Sequence, residues 1–259
     1  MQSDAERRLV EEVERVALAG PTNHVVLLNV GAGRSVVIEN RLSRGVPCLV
    51  DRVDIEVCEV DHPVVRHQWR CSVENMPMVP SGEYAAVFAN FVLEHVQGLP
   101  AAAREMRRVL KADGEVVVTV SNPSAPEFQV SRRTPLVFHR LVRNARAWDT
   151  VYAYRSIPDL LRVFEDAGFE AAEVSYFPTV GGYLATRRFL RNIGRAYDRC
   201  AERLGSKRLL GHVCIVLVAS NGTTTTGSTA ATTDARATGN TTANDGVGRH
   251  SGQAGDGRG

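Results

Sequence analysis

Between Tyr84 and Pro123 the chain reads YAAVFANFVLEHVQGLPAAAREMRRVLKADGEVVVTVSNP: an apolar run, a polar loop, an amphipathic segment, a turn and a second apolar run. Tyr84–Ala89 is of the short, continuously apolar type that forms a strand buried on both faces. Leu99–Leu110 puts Ala102, Met106, Val109 and Leu110 on one helical face with charges opposite. Lys111, Asp113 and Gly114 form the stop, and Glu115–Val120 is a β-branched strand. A helix between two fully apolar strands implies a parallel sheet, because parallel neighbours need a crossover and the crossover covers a face.

The rest of the chain repeats this order. Ser3 and Glu6 have capping-box spacing, Leu9, Val13, Val16 and Ala17 form one apolar stripe, and Gly20-Pro21 ends the run, so residues 1–21 read as a leading helix laid over the sheet or a ligand mouth. Val25–Val30 reads as a strand, Gly31–Ser35 as a tight turn, Val36–Leu42 as a helix and Cys48–Val50 as the core of a second strand. Further on, Thr134-Pro135 opens a helix to about Ala145, Ser156-Ile157-Pro158-Asp159 caps another ending at Gly168, and Phe169–Phe177 and Leu209–Ala219 are strand-like. Between these last two, Leu184–Leu204 reads as a helix with Leu190, Ile193, Tyr197 and Leu204 on its packed side.

Val92-Leu93-Glu94-His95-Val96, Glu105, Arg108-Val109-Leu110-Lys111 and Gly114, in this order and spacing, resemble the second half of the core of class I S-adenosylmethionine-dependent methyltransferases. The resemblance covers about residues 25–175. It implies an α/β fold with a doubly wound, mostly parallel seven-stranded sheet and helices on both faces, the last two strands forming an antiparallel hairpin at the edge. It also implies S-adenosylmethionine as cofactor and a single catalytic domain over residues 22–219.

Val26-Leu27-Leu28-Asn29-Val30-Gly31-Ala32-Gly33 looks like the family's first motif, a strand running into a glycine turn where the methionine part of the cofactor packs on backbone. Asn29 replaces the usual acid and Ser35 the third glycine. Asp51 and Asp54 compete to hold the ribose hydroxyls, with Asp51 preferred because it directly ends the apolar run. Ser72 and Val73 fall in the loop expected to hold the adenine, with Glu74 read as a solvated loop residue. Asn90 and Phe91 follow the fourth strand at the ligand-binding edge, and His95 is expected nearby in a structural part.

Methyl transfer is an in-line displacement, so a general base is needed only when the acceptor is protonated at working pH. His139, Glu127 and Tyr154 are the candidates on the acceptor side. Asn122-Pro123-Ser124 resembles the Asn/Asp-Pro-Pro-aromatic motif of methyltransferases acting on amide or exocyclic nitrogens, but it follows the fifth strand instead of the fourth. A small-molecule acceptor is therefore expected, with no nucleic acid.

A net charge of +2 in 259 residues offers no electrostatic footprint for nucleic acid. Five cysteines without CxxC pairing, a charged N-terminal segment and no apolar run near the roughly 20 residues of a membrane span point to a cytoplasmic protein. Cys58, His62, His67 and Cys71 lack the close spacing of a zinc knuckle, so no metal is expected. The basic segment Arg187–Arg208 reads as a helix with a solvated arginine face, not as a membrane contact. Residues 220–259, rich in Thr, Gly, Ala, Asn and Ser, read as a disordered tail.

Two other readings come from different classes. A methyltransferase-like domain that binds cofactor or a partner without catalysis rests on Asn29, Ser35 and Ser72, each a weakened contact. A nicotinamide-dependent oxidoreductase is disfavoured, because Gly31-Ala32-Gly33-Arg34-Ser35-Val36 puts valine at the third glycine of GxGxxG.

Overall fold

Every residue of strand β1, Val25–Val30, is buried, which requires helices on both faces of the sheet around it. A computed structural model of the chain describes residues 3–20, 25–56, 59–133, 153–183 and 188–220. Its strands are β1, β2 (Cys48–Asp54), β3 (Val65–Arg70), β4 (Tyr84–Asn90), β5 (Leu110–Ser121), β6 (Phe169–Phe177) and β7 (His212–Ala219). They form one seven-stranded sheet in the order β3-β2-β1-β4-β5-β7-β6. Pairings from β3 through β5 are parallel, while β7 runs antiparallel to both β5 and β6. This is the doubly wound, mostly parallel sheet with an antiparallel edge pair. Strand order reverses between β1 and β4, and ligands of open α/β sheets bind at the carboxyl end of such a switch point.

The helices are α1 (Asp4–Ala19), α2 (Val37–Leu42), α3 (Leu99–Val109), α4 (Pro126–Arg133), α5 (Ile157–Asp166), α6 (Val180–Tyr183) and α7 (Arg188–Leu204). Side chains alternate across the strands, so β1 sends Val25 and Leu27 to one core and Val26, Leu28 and Val30 to the other. The first core takes Leu9, Val13 and Val16 of α1 and Ile38 and Leu42 of α2. The second takes Leu99, Ala102 and Met106 of α3 and Leu160 and Phe164 of α5. The capping box of α1 forms in full: Ser3 Oγ accepts the Glu6 amide and Glu6 Oε2 accepts the Ser3 amide.

Several boundaries differ from those expected. β2 runs four residues past Val50, because Arg52 is buried inside the strand and does not end it. β5 begins at Leu110, which pairs with Tyr84, and the ladder resumes only at Ala86 and Glu115. Lys111, Ala112 and Asp113 bulge into solvent between those pairs. Gly114 closes the bulge, where a Cβ would stand 3.1 Å from the Tyr84 carbonyl oxygen and 2.8 Å from Leu110. Cys71 follows β3 without belonging to it, and β7 starts at His212 after a 3₁₀ turn, Lys207–Leu209. On α7, Ile193 and Leu204 are 49% and 66% exposed and so form no packed stripe. This helix instead meets α6 backbone to backbone, where a Cβ on Gly194 would lie 2.8 Å from the Gly181 Cα. The expected helix from Thr134 to about Ala145, the start of the 184–204 helix and all but the first residue of the 220–259 tail lie outside the described residues.

Candidate active site

The glycine turn after β1 is built by approach distances that exclude a side chain. Gly31 adopts φ +66°, and a Cβ there would fall 2.3 Å from Val92 Cγ2. The Gly31 and Ala32 amides donate to the Val53 carbonyl at 2.8 and 3.3 Å, and the Gly33 amide donates to Asp54 Oδ2 at 2.8 Å. From below, one terminal nitrogen of Arg52 donates to the carbonyls of Ala32, Gly33 and Ser35 at 2.9–3.0 Å. The turn thus keeps its shape with serine at the third glycine position, because a buried guanidinium gathers three of its carbonyls.

The two aspartates of β2 part company completely. Asp51 is wholly buried. Its Oδ1 accepts Arg66 Nε at 3.1 Å and the His67 amide at 3.0 Å; its Oδ2 accepts a second Arg66 nitrogen at 2.7 Å and the Tyr84 hydroxyl at 2.8 Å. Four donors fill all the acceptor sites of a carboxylate, which leaves none for a ribose. Burial, and after it the Asp51 carboxylate, push the Tyr84 phenol well above its ordinary pKa. Asp54, by contrast, lines a cleft, and each of its oxygens accepts one backbone amide, from Gly33 and from Glu56 at 2.8 Å. One acceptor site on each oxygen remains.

That cleft, of about 480 Å³, runs from Gly31 and Gly33 past Asp54 and Ile55 to Ser72, Val73, Asn90, Phe91 and His95. Ser72 Oγ accepts the Glu74 amide at 3.2 Å. Glu74 is no solvated bystander: its Oε1 accepts the Gln97 and Gly98 amides at 3.1 and 2.9 Å, tying the loop after β3 to the start of α3. Phe91 holds φ +54°, uncommon for a residue with a side chain, and its amide donates to Thr119. His95 stands at the end of a 3₁₀ turn, Leu93–His95.

A second recess of about 310 Å³ shares Gly31 and Asn90 with the first and is lined further by Glu6, Asn29, Ala32, Ser35 and Glu39. Asn90 Nδ2 donates to Glu6 Oε1 at 3.0 Å, so the first turn of α1 closes one side of it. Of the eleven side chains and turn residues expected to bind cofactor, Gly31, Gly33, Asp54, Ser72, Val73, Asn90, Phe91 and His95 meet around the larger cleft, Asn29 and Ala32 around the smaller, and Asp51 around neither.

Beyond the carboxyl end of β5, Tyr154 is 2% exposed and its hydroxyl donates to the Ser121 carbonyl at 3.0 Å, sealing the end of the strand. Glu127 Oε1 accepts the Thr179 hydroxyl at 2.5 Å, while Oε2 is buried with no hydrogen-bond partner among the described residues. His139 lies outside the described residues. Asn122, 2% exposed, is structural: Nδ2 donates to the Lys207 and Leu210 carbonyls and Oδ1 accepts the Ser124 amide.

Two groups here had no role assigned from the sequence, although Glu94 stands in the Val92–Val96 motif. His212 lies with its ring centroid 4.5 Å from that of Phe91 and 6.2 Å from that of Phe128. Glu94, 4% exposed, accepts the Ser121 hydroxyl at 3.2 Å, and burial pushes its carboxyl up to about 7. A strand-end histidine and a loop glutamate look solvent-facing until the fold brings β4, β5 and β7 together.

Cys48, Cys71, Cys200 and Cys214 are free thiols, and burial pushes Cys48 up to about 11 and Cys214 to about 12. Among the described residues no three His, Cys, Asp or Glu side chains converge on a metal position, and no helix is long and apolar enough to cross a membrane.

A family model described as a methyltransferase domain matches residues 1–174, well over half of the chain. The chain belongs to this family, and its class is that of the class I S-adenosylmethionine-dependent methyltransferases. Among solved structures it is similar to geranyl diphosphate C-methyltransferase from Streptomyces coelicolor A3(2), with TM-score 0.57 and 20% identity over 83% of this chain and 79% of that one. A geranyl diphosphate methyltransferase bound to geranyl diphosphate and sinefungin gives TM-score 0.57 and 20% identity over 82% and 77% of the two chains. The [4+2]-cyclase SpnF gives TM-score 0.54 and 17% identity over 84% and 82%. No curated protein matches the chain in sequence.

Proposed function

We propose that this chain transfers the methyl group of S-adenosylmethionine to a small-molecule acceptor, with the adenosine along the larger cleft and the methionine end in the smaller recess. One observation carries the reading: the glycine turn, the half-satisfied carboxylate of Asp54 and the left-handed Phe91 meet on a single cleft at the switch point of the sheet. Asp54 has one acceptor site left on each oxygen, the number two ribose hydroxyls need. Ser72 and Val73 border the adenine, and Phe91 packs where the sulfonium lies.

Bound cofactor supplies an activated methyl group, so the chain's own work is alignment and exclusion of water. Phe91, Phe128 and His212 form an aromatic wall beside the carboxyl ends of β4 and β5 and the amino end of β7. Glu127, with one oxygen pinned by Thr179 and the other without a partner among the described residues, orients an acceptor N–H or O–H. Tyr154 acts through the backbone of Ser121. The compact wall supports a small acceptor, as does the shared architecture with enzymes named for geranyl diphosphate.

Calorimetric titration with S-adenosylhomocysteine and separately with NAD(H) tests the reading. Saturable 1:1 binding of the first alone is expected. Binding of NAD(H) alone, or of neither ligand, overturns it.

A further inference from the structure

Three buried polar side chains meet beneath the glycine turn, and the reaction as described leaves one of them without a task. Asn29 stands where the family's first motif carries an acid, and its Nδ2 donates a 2.9 Å hydrogen bond to Oε1 of Glu39 on α2. Glu39 is wholly excluded from solvent, yet it lines the smaller recess beside Asn29, Gly31 and Asn90. Its other oxygen, Oε2, has no hydrogen-bond partner among the described residues.

Arg52 pairs the charge of Glu39 in a buried ion pair but gives Oε2 no hydrogen bond. Its one engaged nitrogen serves the carbonyls of Ala32, Gly33 and Ser35, and its Nε stands 3.4 Å from the already bonded Oε1 without making a hydrogen bond. A buried carboxylate with a bare oxygen is unfavourable until a donor reaches it. Nε and Nη1 of Arg52 are also without hydrogen-bond partners among the described residues, and the recess that Glu39 lines admits a further donor. A compact group with several N–H donors fits best, since it hydrogen-bonds the bare oxygen of a carboxylate whose other oxygen already faces Arg52 and Asn29.

We propose that Glu39 is the carboxylate that binds the α-ammonium group of the cofactor, the acid having moved from β1 to α2, with Asn29 orienting it through Oε1. The proposal rests on the reading of this cleft as an S-adenosylmethionine site. It accounts together for a charged residue at zero exposure on a helix of six residues, for the asparagine on β1 and for the bare oxygen.

Three ligands separate the parts of the site: S-adenosylhomocysteine, the same molecule lacking only its α-amino group, and 5′-methylthioadenosine, which lacks the whole amino-acid end. Titrated calorimetrically into the full chain, the first is expected to bind at least about tenfold more tightly than the second. Glu39→Gln is expected to lose about tenfold or more in affinity for S-adenosylhomocysteine with its 5′-methylthioadenosine affinity unchanged, which also certifies the fold. Equal affinity of the unaltered chain for the first two ligands overturns the proposal, whatever the fate of the variant. So does a Glu39→Gln variant that keeps full affinity or weakens both remaining ligands alike. If the unaltered chain binds neither S-adenosylhomocysteine nor 5′-methylthioadenosine, the cofactor reading itself fails and the proposal falls with it.

Discussion

The amide of Gly33 donates to Oδ2 of Asp54 at 2.8 Å, which ties the turn after β1 to the end of β2 and aims the carboxylate along the cleft. Asp54 thus shapes the turn and, in the proposed function, also offers acceptors to a ribose. Asp54→Ala removes both, so S-adenosylhomocysteine affinity is expected to fall about 10- to 100-fold, in line with about 1.5–3 kcal/mol for hydrogen bonds to a charged group. Calorimetry on the variant checks this.

Asp51→Asn should behave in the opposite way. The substitution leaves Arg66 without its buried counter-charge and turns one acceptor oxygen into a donor facing Arg66 or Tyr84. A loss of about 3 kcal/mol in unfolding free energy is expected, as for other broken ion pairs with one fully buried partner, with cofactor affinity in the folded fraction nearly unchanged. Urea unfolding followed by ligand titration separates the two effects.

This contrast marks where the sequence was legible and where it was not. Val25–Val30 is a strand with the boundaries its apolar run defines, because burial on a sheet leaves a composition that needs no partner to be read, and the half-exposed edge strand Phe169–Phe177 also has the bounds expected of it. The strand order and the antiparallel edge follow from the family resemblance, not from periodicity. Asp51 was the wrong end of β2 because Arg52 looks like a terminator. Its burial depends on carbonyls of Ala32, Gly33 and Ser35, some twenty residues away in the chain. The burial of Glu39, and of Glu94 within its motif, was hidden for the same reason: a buried charge is defined by partners from other elements, and one-dimensional spacing assigns it to solvent.

Gly31 tests the turn itself. Gly31→Ala combines a left-handed φ with a Cβ 2.3 Å from Val92 Cγ2, and a cost of about 2 kcal/mol is expected with loss of measurable cofactor binding. Val92→Ala in the same chain removes the clash but not the φ strain. The double variant should therefore recover about 1 kcal/mol, read as a coupling in a double-mutant cycle by urea unfolding. Additive effects would show that the turn moves away from Val92 instead.

Glu127→Gln keeps the shape of the side chain and the acceptor oxygen that meets Thr179, but it removes the charge from the oxygen that has no partner among the described residues. Turnover with an identified acceptor is expected to fall about 10- to 100-fold, the scale of lost acceptor orientation, while the dissociation constant for S-adenosylhomocysteine stays the same. A change in cofactor affinity would place Glu127 on the cofactor side of the cleft.

Glu94 predicts the pH dependence of stability. Burial raises its carboxyl from the ordinary 4.5 to about 7 in the folded chain, so between these two values the folded state binds the proton and the unfolded state has released it. Stability falls with pH wherever the folded state holds more protons, so this contribution is complete below about pH 4.5 and is lost as pH rises through about 7. The sum over that window is on the order of 3 kcal/mol, at about 1.4 kcal/mol per pH unit. Glu94→Gln cannot titrate and still offers an oxygen to the Ser121 hydroxyl. The expected outcome is an unfolding free energy that drops between pH 5 and pH 8 in the unaltered chain by up to about 3 kcal/mol more than in the variant, measured by urea unfolding at both pH values. Parallel pH profiles would mean that Glu94 ionises freely in the folded protein, through water reaching its second oxygen or a partner beyond the described residues.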